Sequence, residues 1–355
     1  MEFLRLLLLP FSFVYGLITG MRNLFFNLGI LHSKKYEVPL ISVGNLSTGG
    51  TGKTPHVEYL IRLLSPLNKV STLSRGYGRR TQGYLIAKAG STAASIGDEP
   101  MQYFRKFPEA GVHVDEKRQR GIETILKTEP ETDVILLDDA FQHRYVKPGL
   151  SILLTDYHKL YYKDYILPVG SLREARRGAR RADIIVVTKT PGILSPILKR
   201  QIISEIKPAP HQKVYFSYIR YSDIVPLWST GCKTFPEKKF SHILIFAGIA
   251  NTYPLQDHLS KMCQDLTILQ YPDHHQYTLE DLDRIKRKFD DLYSRNKLLV
   301  TTEKDAMRLL SPGLDEKARQ LPVHYLPIVV EFHRNDKQAF DEQILNYVRT
   351  NQRKH

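Results

Sequence analysis

The chain has 355 residues, of which 42% are hydrophobic and 25% are charged, proportions that exclude a disordered protein and allow two folded units. Its formal net charge of +14 predicts an anionic partner, either nucleic acid, acidic lipid or a phosphorylated substrate. The two cysteines, Cys232 and Cys263, form no C-x-x-C pair, which excludes a disulfide framework and a cysteine-based metal site.

The N-terminal segment is apolar and rich in aromatic residues. Residues 6–20 carry no charge, and basic residues flank them at Arg5 and Arg22. This uncharged run contains Pro10 and is shorter than the roughly 20 residues of a transmembrane helix, and no A-x-A-like signal cleavage site follows it. Such a segment is typical of a helix that lies in the interface of an anionic membrane. A helix buried against the protein's own core is the alternative.

Residues 41–55, ISVGNLSTGGTGKTP, run from a strand-like segment through a glycine-rich turn into a predicted helix over residues 56–64. Backbone N–H groups of such a turn, and the positive end of the helix dipole, bind a phosphate. We expect Lys53 to reach the β- and γ-phosphates of a nucleotide and the Thr54 hydroxyl to bind Mg²⁺. Ser47 stands where the first glycine of this motif is usual. The predicted phosphate contacts are Ser47, Thr48, Gly49, Gly50, Thr51, Gly52, Lys53 and Thr54.

Five apolar, strand-like runs alternate with helical stretches in the first part of the chain. Continuous apolar runs indicate strands covered on both faces, which predicts a parallel sheet in an α/β core of the P-loop NTPase type. Ligands of such sheets bind beyond the carboxyl ends of the strands. The runs are PLISVGN (39–45), KVSTLSR (69–75), DVILLDD (133–139), LSILLTD (150–156) and ADIIVVTK (182–189).

The pattern changes near residues 205–240, where extended, proline-punctuated chain predicts a linker. A second α/β set follows, from HILIFAGIA (242–250) to KLLVTTEKDA (297–306), and an amphipathic helix ends the chain. We therefore predict a membrane-associating helix at 1–35, a P-loop core at 36–215, a linker with a smaller α/β domain at 216–334, and a C-terminal helix at 335–355 that packs back on the core.

Carboxylates and a histidine cluster follow the predicted strands. In DVILLDDAFQH an apolar strand ends in Asp138 and Asp139, the Walker B form, and one of them should hold Mg²⁺ directly or through water. In SIGDEPMQYF, Asp98 either caps a helix N-terminus or acts as a general base toward an attacking hydroxyl. YPDHHQY places His274 after a strand of the second domain, from which it could reach Asp98.

The stretch SLREARRGARRAD (171–183) contains five arginines and precedes a strand that ends near the predicted nucleotide site. Because guanidinium groups bind phosphate through paired hydrogen bonds, we interpret the cluster as a contact for anionic substrate or lipid headgroups. A solvated helix face is the alternative. Nucleic acid is not expected as a partner, since the basic residues are not interleaved with aromatic side chains for base stacking. The candidate anion contacts are Arg75, Arg173, Arg176 and Arg177.

Together these motifs resemble one family, the tetraacyldisaccharide 4′-kinases, over residues 40–306. The blocks that carry the resemblance are GNLSTGGTGKTP, SRGYGRR, GDEP, LLDDAFQH, LPVGSLRE, VVTK, FAGIAN, PDHHQY and LVTTEKDA. A hydrophobic N-terminal helix also fits this family, whose members work at the cytoplasmic face of the bacterial inner membrane.

The resemblance implies transfer of the γ-phosphate of ATP, with Mg²⁺, to the 4′-hydroxyl of an acylated glucosamine disaccharide 1-phosphate, giving lipid IVA in lipid A biosynthesis. It also implies two α/β domains joined by a strand linker, and no obligate protein partner. Carried onto this sequence, Asp98 is the catalytic base with His274 as its partner, and Lys53 and Asp139 act at the phosphate and Mg²⁺ sites. Ala140 stands where the family pattern would have Gly.

Three other functions stay open from the residues alone. A partitioning-type ATPase also carries a G-G-x-G-K-T loop, but that class has a signature Lys where this chain has Thr48. A non-catalytic, nucleotide-gated membrane adaptor needs no base, so the acidic motifs argue against it. A cytosolic sugar or nucleoside kinase is the nearer rival, because only the N-terminal helix points to a lipid acceptor.

Overall fold

The computed structural model describes residues 2–228, 239–273, 275–311 and 313–352, with side chains from residue 7 onward. In chain order its strands are β1 Leu40–Asn45, β2 Val70–Ser74, β3 Leu85–Ile86, β4 Gly111–Val114, β5 Val134–Asp138, β6 Leu150–Asp156, β7 Ile184–Thr188, β8 Lys213–Tyr221, β9 Val225–Pro226, β10 Phe240–Ala247, β11 Cys263–Gln270, β12 Lys297–Thr302, β13 Val323–Leu326 and β14 Ile328–Phe332.

Helices cover both faces of these strands. They are α1 Glu2–Asn27, α2 Lys53–Leu64, α3 Ala93–Ile96, α4 Asp98–Lys106, α5 Arg118–Thr128, α6 Pro196–Ile206, α7 Tyr253–Ser260, α8 Leu279–Asp290, α9 Glu303–Leu309, α10 Asp315–Ala318 and α11 Arg334–Asn351, with 3₁₀ segments at Tyr161–Lys163 and Arg176–Arg181.

The large sheet has the strand order β14-β8-β7-β6-β1-β5-β2-β4-β3. Its seven central strands pair in parallel, and β14 and β3 close the two edges as antiparallel strands. Every residue of β1, β2, β5 and β7 is buried, which explains the nearly continuous apolar sequences of β5 and β7; β2 is buried although three of its five residues carry a hydroxyl group. The predicted α/β fold with a parallel core is confirmed.

The smaller sheet has the order β11-β10-β12-β13-β9 and a separate core around Leu244, Phe246 and Leu299. Strands β8 and β14 belong to the large sheet, and short turns join them to β9 and β13 of the smaller sheet. Helix α11 buries Phe340 and Ile344 in the core of the large sheet. The predicted domain boundaries themselves stay predictions.

Helix α1 contacts the large-sheet unit through polar groups and the buried Phe26 near its end, and leaves most of its other apolar side chains exposed. Ser12 Oγ donates to the carbonyl of Ile166 at 3.1 Å, and Tyr15 Oη donates to that of Arg173 at 3.0 Å. The alternative of a helix buried on the core is therefore wrong. Over the described residues, Leu7–Asn27 is one helix that is long and apolar enough to cross a membrane. The exposed side chains include Leu7, Leu9, Phe11, Phe13, Val14, Leu17, Ile18, Met21 and Leu24.

Candidate functional site

The glycine-rich loop joins β1 to α2 and keeps its shape through contacts with neighbouring chain. Gly49 and Gly52 have φ of 108° and 88°, a left-handed conformation that side chains with a Cβ rarely adopt. The Asn45 amide donates to Thr51 Oγ1 at 2.8 Å, and the backbone N–H of Thr48 donates to the carbonyl of Ser171 at 2.7 Å. The loop is therefore preformed, with the N-terminus of α2 beneath it, as phosphate binding requires.

Two buried hydrogen bonds tie this loop to the adjacent strands. His56 Nδ1 lies 2.7 Å from the carbonyl oxygen of Gly52, and its Nε2 lies 3.0 Å from Ser217 Oγ on β8. Burial lowers the pKa of His56 to about 4, so the ring is neutral and donates one N–H while accepting one O–H. Thr188, at the end of β7, donates from Oγ1 to the carbonyl of Thr51 at 2.9 Å.

Asp139 lies beside the loop in a cationic environment. Lys53 Nζ is 3.8 Å from Asp139 Oδ1, and the Arg173 guanidinium donates to both carboxylate oxygens at 2.8 and 3.2 Å. Burial alone would raise the pKa of Asp139, but Lys53 and Arg173 outweigh it and hold that pKa below its ordinary value. Arg173 also donates to the carbonyl of Asn45 at 3.0 Å, which fixes it between the loop and the acid.

Asp138, at the end of β5, has the opposite environment. It is buried, and Tyr103 Oη donates to its Oδ2 at 3.0 Å, whereas its buried Oδ1 has no hydrogen-bond partner. Burial, and then the charges of Asp139 and Glu99, raise the pKa of Asp138 to about 6. A hard cation supplies the partner that this oxygen lacks, so the carboxylates together with Thr54 at the start of α2 fit Mg²⁺.

Asp98 is the first residue of α4, and Tyr103 on the same helix links α4 to Asp138. The residue at the N-cap is Gly97, so Asp98 stands one position inside the helix, in its first turn. The Asp98 carboxylate accepts from Arg308 of α9, at 2.7 and 2.9 Å. The predicted partner His274 lies outside the described residues.

The structure separates the arginines of the 171–183 stretch. Arg173 enters the nucleotide site, whereas Arg176 and Arg177 are exposed on a 3₁₀ segment rather than on the face of an α-helix. Arg177 lies against α1 at Gly20: the position that a Cβ of residue 20 would occupy is 3.6 Å from Nη2 of Arg177. Arg75 is exposed just beyond the end of β2.

Several site residues had no signal in the sequence. Tyr103 and Arg308 are separated from their aspartate partners by 35 and 210 residues, and no motif marks either of them. Arg118 is buried behind the acid pair and donates to the carbonyl of Asp138 at 3.2 Å. Lys189, which follows β7, pairs with Asp156 at 2.8 Å rather than turning toward the loop.

Comparison with known proteins gives the same result by three routes. The family model for tetraacyldisaccharide-1-P 4′-kinase matches residues 4–349. The tetraacyldisaccharide 4′-kinase of Bacteroides thetaiotaomicron is 45% identical over 357 residues, covering 98% of this chain and 94% of the relative. That of Flavobacterium psychrophilum is 44% identical over 350 residues, covering 98% of each.

A solved structure extends the likeness to three dimensions. The LpxK protein of Aquifex aeolicus, described as an apo form in complex with ATP, superposes with a TM-score of 0.73 at 28% identity, covering 97% of this chain and 99% of that one. The matches cover nearly the whole chain, and this includes the loop, the acid pair and both sheets. The chain belongs to the tetraacyldisaccharide-1-P 4′-kinase family.

Proposed function

We propose that this protein transfers the γ-phosphate of ATP to the 4′-hydroxyl of tetraacyldisaccharide 1-phosphate, giving lipid IVA in lipid A biosynthesis. The observation that carries the proposal is the family match over residues 4–349. An ATP-bound relative of the same fold supports ATP as the phosphate donor, as does the preformed loop between β1 and α2.

In this proposal the loop from Ser47 to Thr54 binds the phosphates of ATP. Its backbone N–H groups surround the β-phosphate, and Lys53 neutralises charge on the phosphates nearest the transferred group. Asp138 and Asp139 would hold Mg²⁺ together with the Thr54 hydroxyl. The ion, when bound, neutralises phosphate charge. Arg173 keeps the Asp139 carboxylate oriented through its two hydrogen bonds.

Asp98 is the proposed general base. A sugar hydroxyl is a weak nucleophile, because it keeps its proton at neutral pH, and a positioned carboxylate that accepts this proton accelerates transfer by roughly 10²–10⁴-fold. The position of Asp98 on α4, whose Tyr103 contacts Asp138, supports this role, since the base must lie near the Mg²⁺ site. His274 stays a predicted partner of the base.

The acceptor is a lipid, so the enzyme must work where acyl chains are. The exposed apolar side chains of α1 support insertion into the interface of the inner membrane, at its cytoplasmic face. Arg177 lies next to this helix, and it and the exposed Arg176 carry positive charge that an anionic headgroup or the 1-phosphate of the acceptor would neutralise.

The test is transfer from labelled ATP to tetraacyldisaccharide 1-phosphate in detergent micelles with Mg²⁺. We expect label at the 4′ position with the unmodified protein, and a turnover lower by roughly 10²–10⁴-fold in Asp98→Asn, with ATP affinity unchanged. The substitution removes the proton acceptor and keeps the size of the side chain.

Water and unacylated glucosamine disaccharide serve as competing acceptors in the same assay. ATP hydrolysis that ignores the lipid would favour an ATPase, and equal transfer to the unacylated sugar would favour a cytosolic sugar kinase. Full turnover by Asp98→Asn would show that another group takes the proton.

A further inference from the structure

Helix α4 of the large-sheet unit and helix α9 of the smaller unit lie side by side in opposite directions, and their charges are complementary along the contact. The acidic start of α4 meets the basic end of α9, which also suits the dipoles of both helices. The ion pairs are Asp98–Arg308 at 2.7 Å, Glu99–Lys304 at 2.7 Å and Lys106–Glu303 at 2.8 Å.

Arg308 is the most deeply buried cation of this contact, with 2% of its side chain exposed. Its Nε and Nη2 both donate to Oδ2 of Asp98, at 2.9 and 2.7 Å. Its Nη1 donates to Oδ1 of Asp305 at 2.7 Å and to the carbonyl of Gly248 at 3.2 Å. The guanidinium is therefore held from both sides and cannot rotate without losing several buried hydrogen bonds.

Asp305 anchors this arrangement to the smaller sheet. Its Oδ2 accepts from the backbone N–H of Gly248 at 3.0 Å and from the Thr302 hydroxyl at 2.6 Å. Gly248 follows β10 and Thr302 ends β12, so the position of the guanidinium is set by two central strands of the second unit. The Asp98 carboxylate in turn takes its orientation from a part of the fold that contributes none of the loop or Walker B residues.

The geometry points to Arg308 as a positioning residue for phosphoryl transfer, which holds the Asp98 carboxylate in a single orientation from the second unit. The inference rests on the proposed role of Asp98 as general base. Its consequence is that the base is correctly oriented only when α9 lies against α4. A purely structural role, in which Arg308 merely joins the two units, is the competing explanation.

The neighbouring ion pair provides a matched control for that explanation. Lys304 lies one turn before Arg308 on the same face of α9 and joins the same two helices through a hydrogen-bonded ion pair with Glu99. Its charge also acts on Asp98, but the paired hydrogen bonds that orient the Asp98 carboxylate come from Arg308. If Arg308 acts only by joining the units, Lys304→Met and Arg308→Met should have similar effects on turnover.

The experiment measures kcat and KM for ATP in the lipid transfer assay for Arg308→Met, Arg308→Lys and Lys304→Met, each alone and combined with Asp98→Asn. We expect Arg308→Met to lower kcat by about 10²-fold with KM for ATP within about threefold, because the base loses its orientation while the loop is untouched. The kcat of Arg308→Lys should be about tenfold higher than that of Arg308→Met, since an ammonium group keeps the positive charge but not the paired guanidinium hydrogen bonds to Asp98.

The combined variants decide whether Arg308 acts through Asp98. In the Asp98→Asn background, Arg308→Met should lower the residual kcat by no more than about twofold, because the group it positions is already gone. Lys304→Met alone should lower kcat by less than about threefold. Thermal unfolding and ATP binding are measured for every variant, and if Arg308→Met does not fold, Arg308→Lys carries the same comparison.

Two results would overturn the inference. The first is a loss of kcat in Lys304→Met as large as that in Arg308→Met. The second is a combined variant, Arg308→Met with Asp98→Asn, whose loss of kcat equals the product of the two single losses. In both cases Asp98→Asn itself stays nearly inactive, so the proposed base survives. An Asp98→Asn variant with full turnover would remove the base and this inference together, whereas absence of lipid transfer by the unmodified protein would contradict the proposed function.

Discussion

Asp138 and Asp139 are adjacent in the chain, yet their surroundings act on them in opposite directions. Asp139 faces Lys53 and Arg173, which lower its pKa against the effect of burial. Asp138 is buried with an unpartnered oxygen and feels the charge of Asp139, so its pKa rises to about 6. The fold therefore stabilises the ionised form of Asp139, and it destabilises the ionised form of Asp138 as long as no cation is bound.

We predict that Asp138→Asn makes the metal-free protein more stable at pH 7.5. The folded pKa of about 6 exceeds the unfolded value of 3.8, so the folded state holds this proton more tightly and loses stability as pH rises through that window. At 1.36 kcal/mol per pKa unit the penalty at pH 7.5 is at most roughly 3 kcal/mol. Urea unfolding without Mg²⁺ should show the gain, and the same variant should lose Mg²⁺-dependent transfer.

Asp139→Asn is the matched control, because it leaves Lys53 and Arg173 without their carboxylate. Asp139→Asn should lower the stability of the metal-free protein at the same pH, whereas Asp138→Asn should raise it. If both variants shift the urea midpoint in the same direction, the difference in environment between the two acids is not what governs their stability.

Contiguous motifs made the loop and the acid pair predictable, because each has its chemistry within one short segment. Arg173 was predicted as an anion contact, but its actual partner is Asp139, and only the tertiary fold brings the two together across 34 residues. Arg308 reaches Asp98 across 210 residues and had no motif of its own. A sequence predicts which side chains can do chemistry, whereas their partners depend on how distant segments pack.

At the scale of elements, the P-loop helix α2 is connected to the second unit through a buried charge cluster. Glu58 on α2 and Glu303 on α9 both contact Lys106 of α4, at 2.7 and 2.8 Å, and Gln102 donates to each of them. Burial, and then the charge of Glu58, raise the pKa of Glu303 to about 7. Other groups that face Glu303 are Arg62 on α2 and Tyr325 on β13.

We predict that Glu303→Gln flattens the pH dependence of stability between pH 5 and pH 8. The pKa of Glu303 is higher in the folded protein than its ordinary 4.5, so its contribution to stability is complete below about pH 4.5 and is lost as pH rises through 7. The unmodified protein should therefore lose stability over this range by an amount that the variant does not. Thermal unfolding at half-unit pH steps measures the two slopes.

Glu331→Gln provides the control on β14, where Tyr218 and Arg220 hold the pKa of Glu331 below its ordinary value. The contribution of Glu331 to stability is lost only as pH falls, so in Glu331→Gln the slope of stability against pH between pH 5 and pH 8 should equal that of the unmodified protein. A Glu303→Gln protein with an unchanged slope would mean that the cluster is not the source of the decline.

The elements that the sequence failed to predict are the short ones at the sheet edges. Strand β3 has two residues and β4 four, too few for a periodic pattern, and they form because β4 pairs with β2 in the completed sheet. Strand β14 is partly exposed and pairs with β8 across more than a hundred residues. The central strands were predictable because burial on both faces favours apolar residues along most of their length.

For the whole molecule, the exposed apolar side chains of α1 and the excess positive charge both support the proposed partner, an anionic membrane. A helix that contacts its own protein through Ser12 and Tyr15 leaves the remaining apolar surface exposed to water, which is costly unless lipid covers it. Arg177 beside Gly20 adds charge at the edge of this surface. The acceptor's acyl chains would then enter the site from the same interface.

We predict that the double variant Phe13→Asp and Ile18→Asp loses binding to vesicles that contain anionic lipid. These side chains are 74% and 61% exposed, so the fold tolerates the change, whereas each buried apolar side chain contributes about 1.5–3 kcal/mol to insertion. The pair should weaken sedimentation with vesicles by at least about 10²-fold. Leu67→Asp, at an 81% exposed leucine just after α2, is the matched control and should bind as the unmodified protein does.

The same variants separate membrane attachment from chemistry. In detergent micelles, where the acceptor is dispersed, Phe13→Asp with Ile18→Asp should keep its kcat, because α1 contributes no residue to the loop, the acid pair or α4. On vesicles that carry the acceptor, its turnover should fall with its binding. If the variant binds vesicles as tightly as the Leu67→Asp control, the exposed side chains of α1 do not enter the membrane, and the lipid reaches the enzyme by another surface.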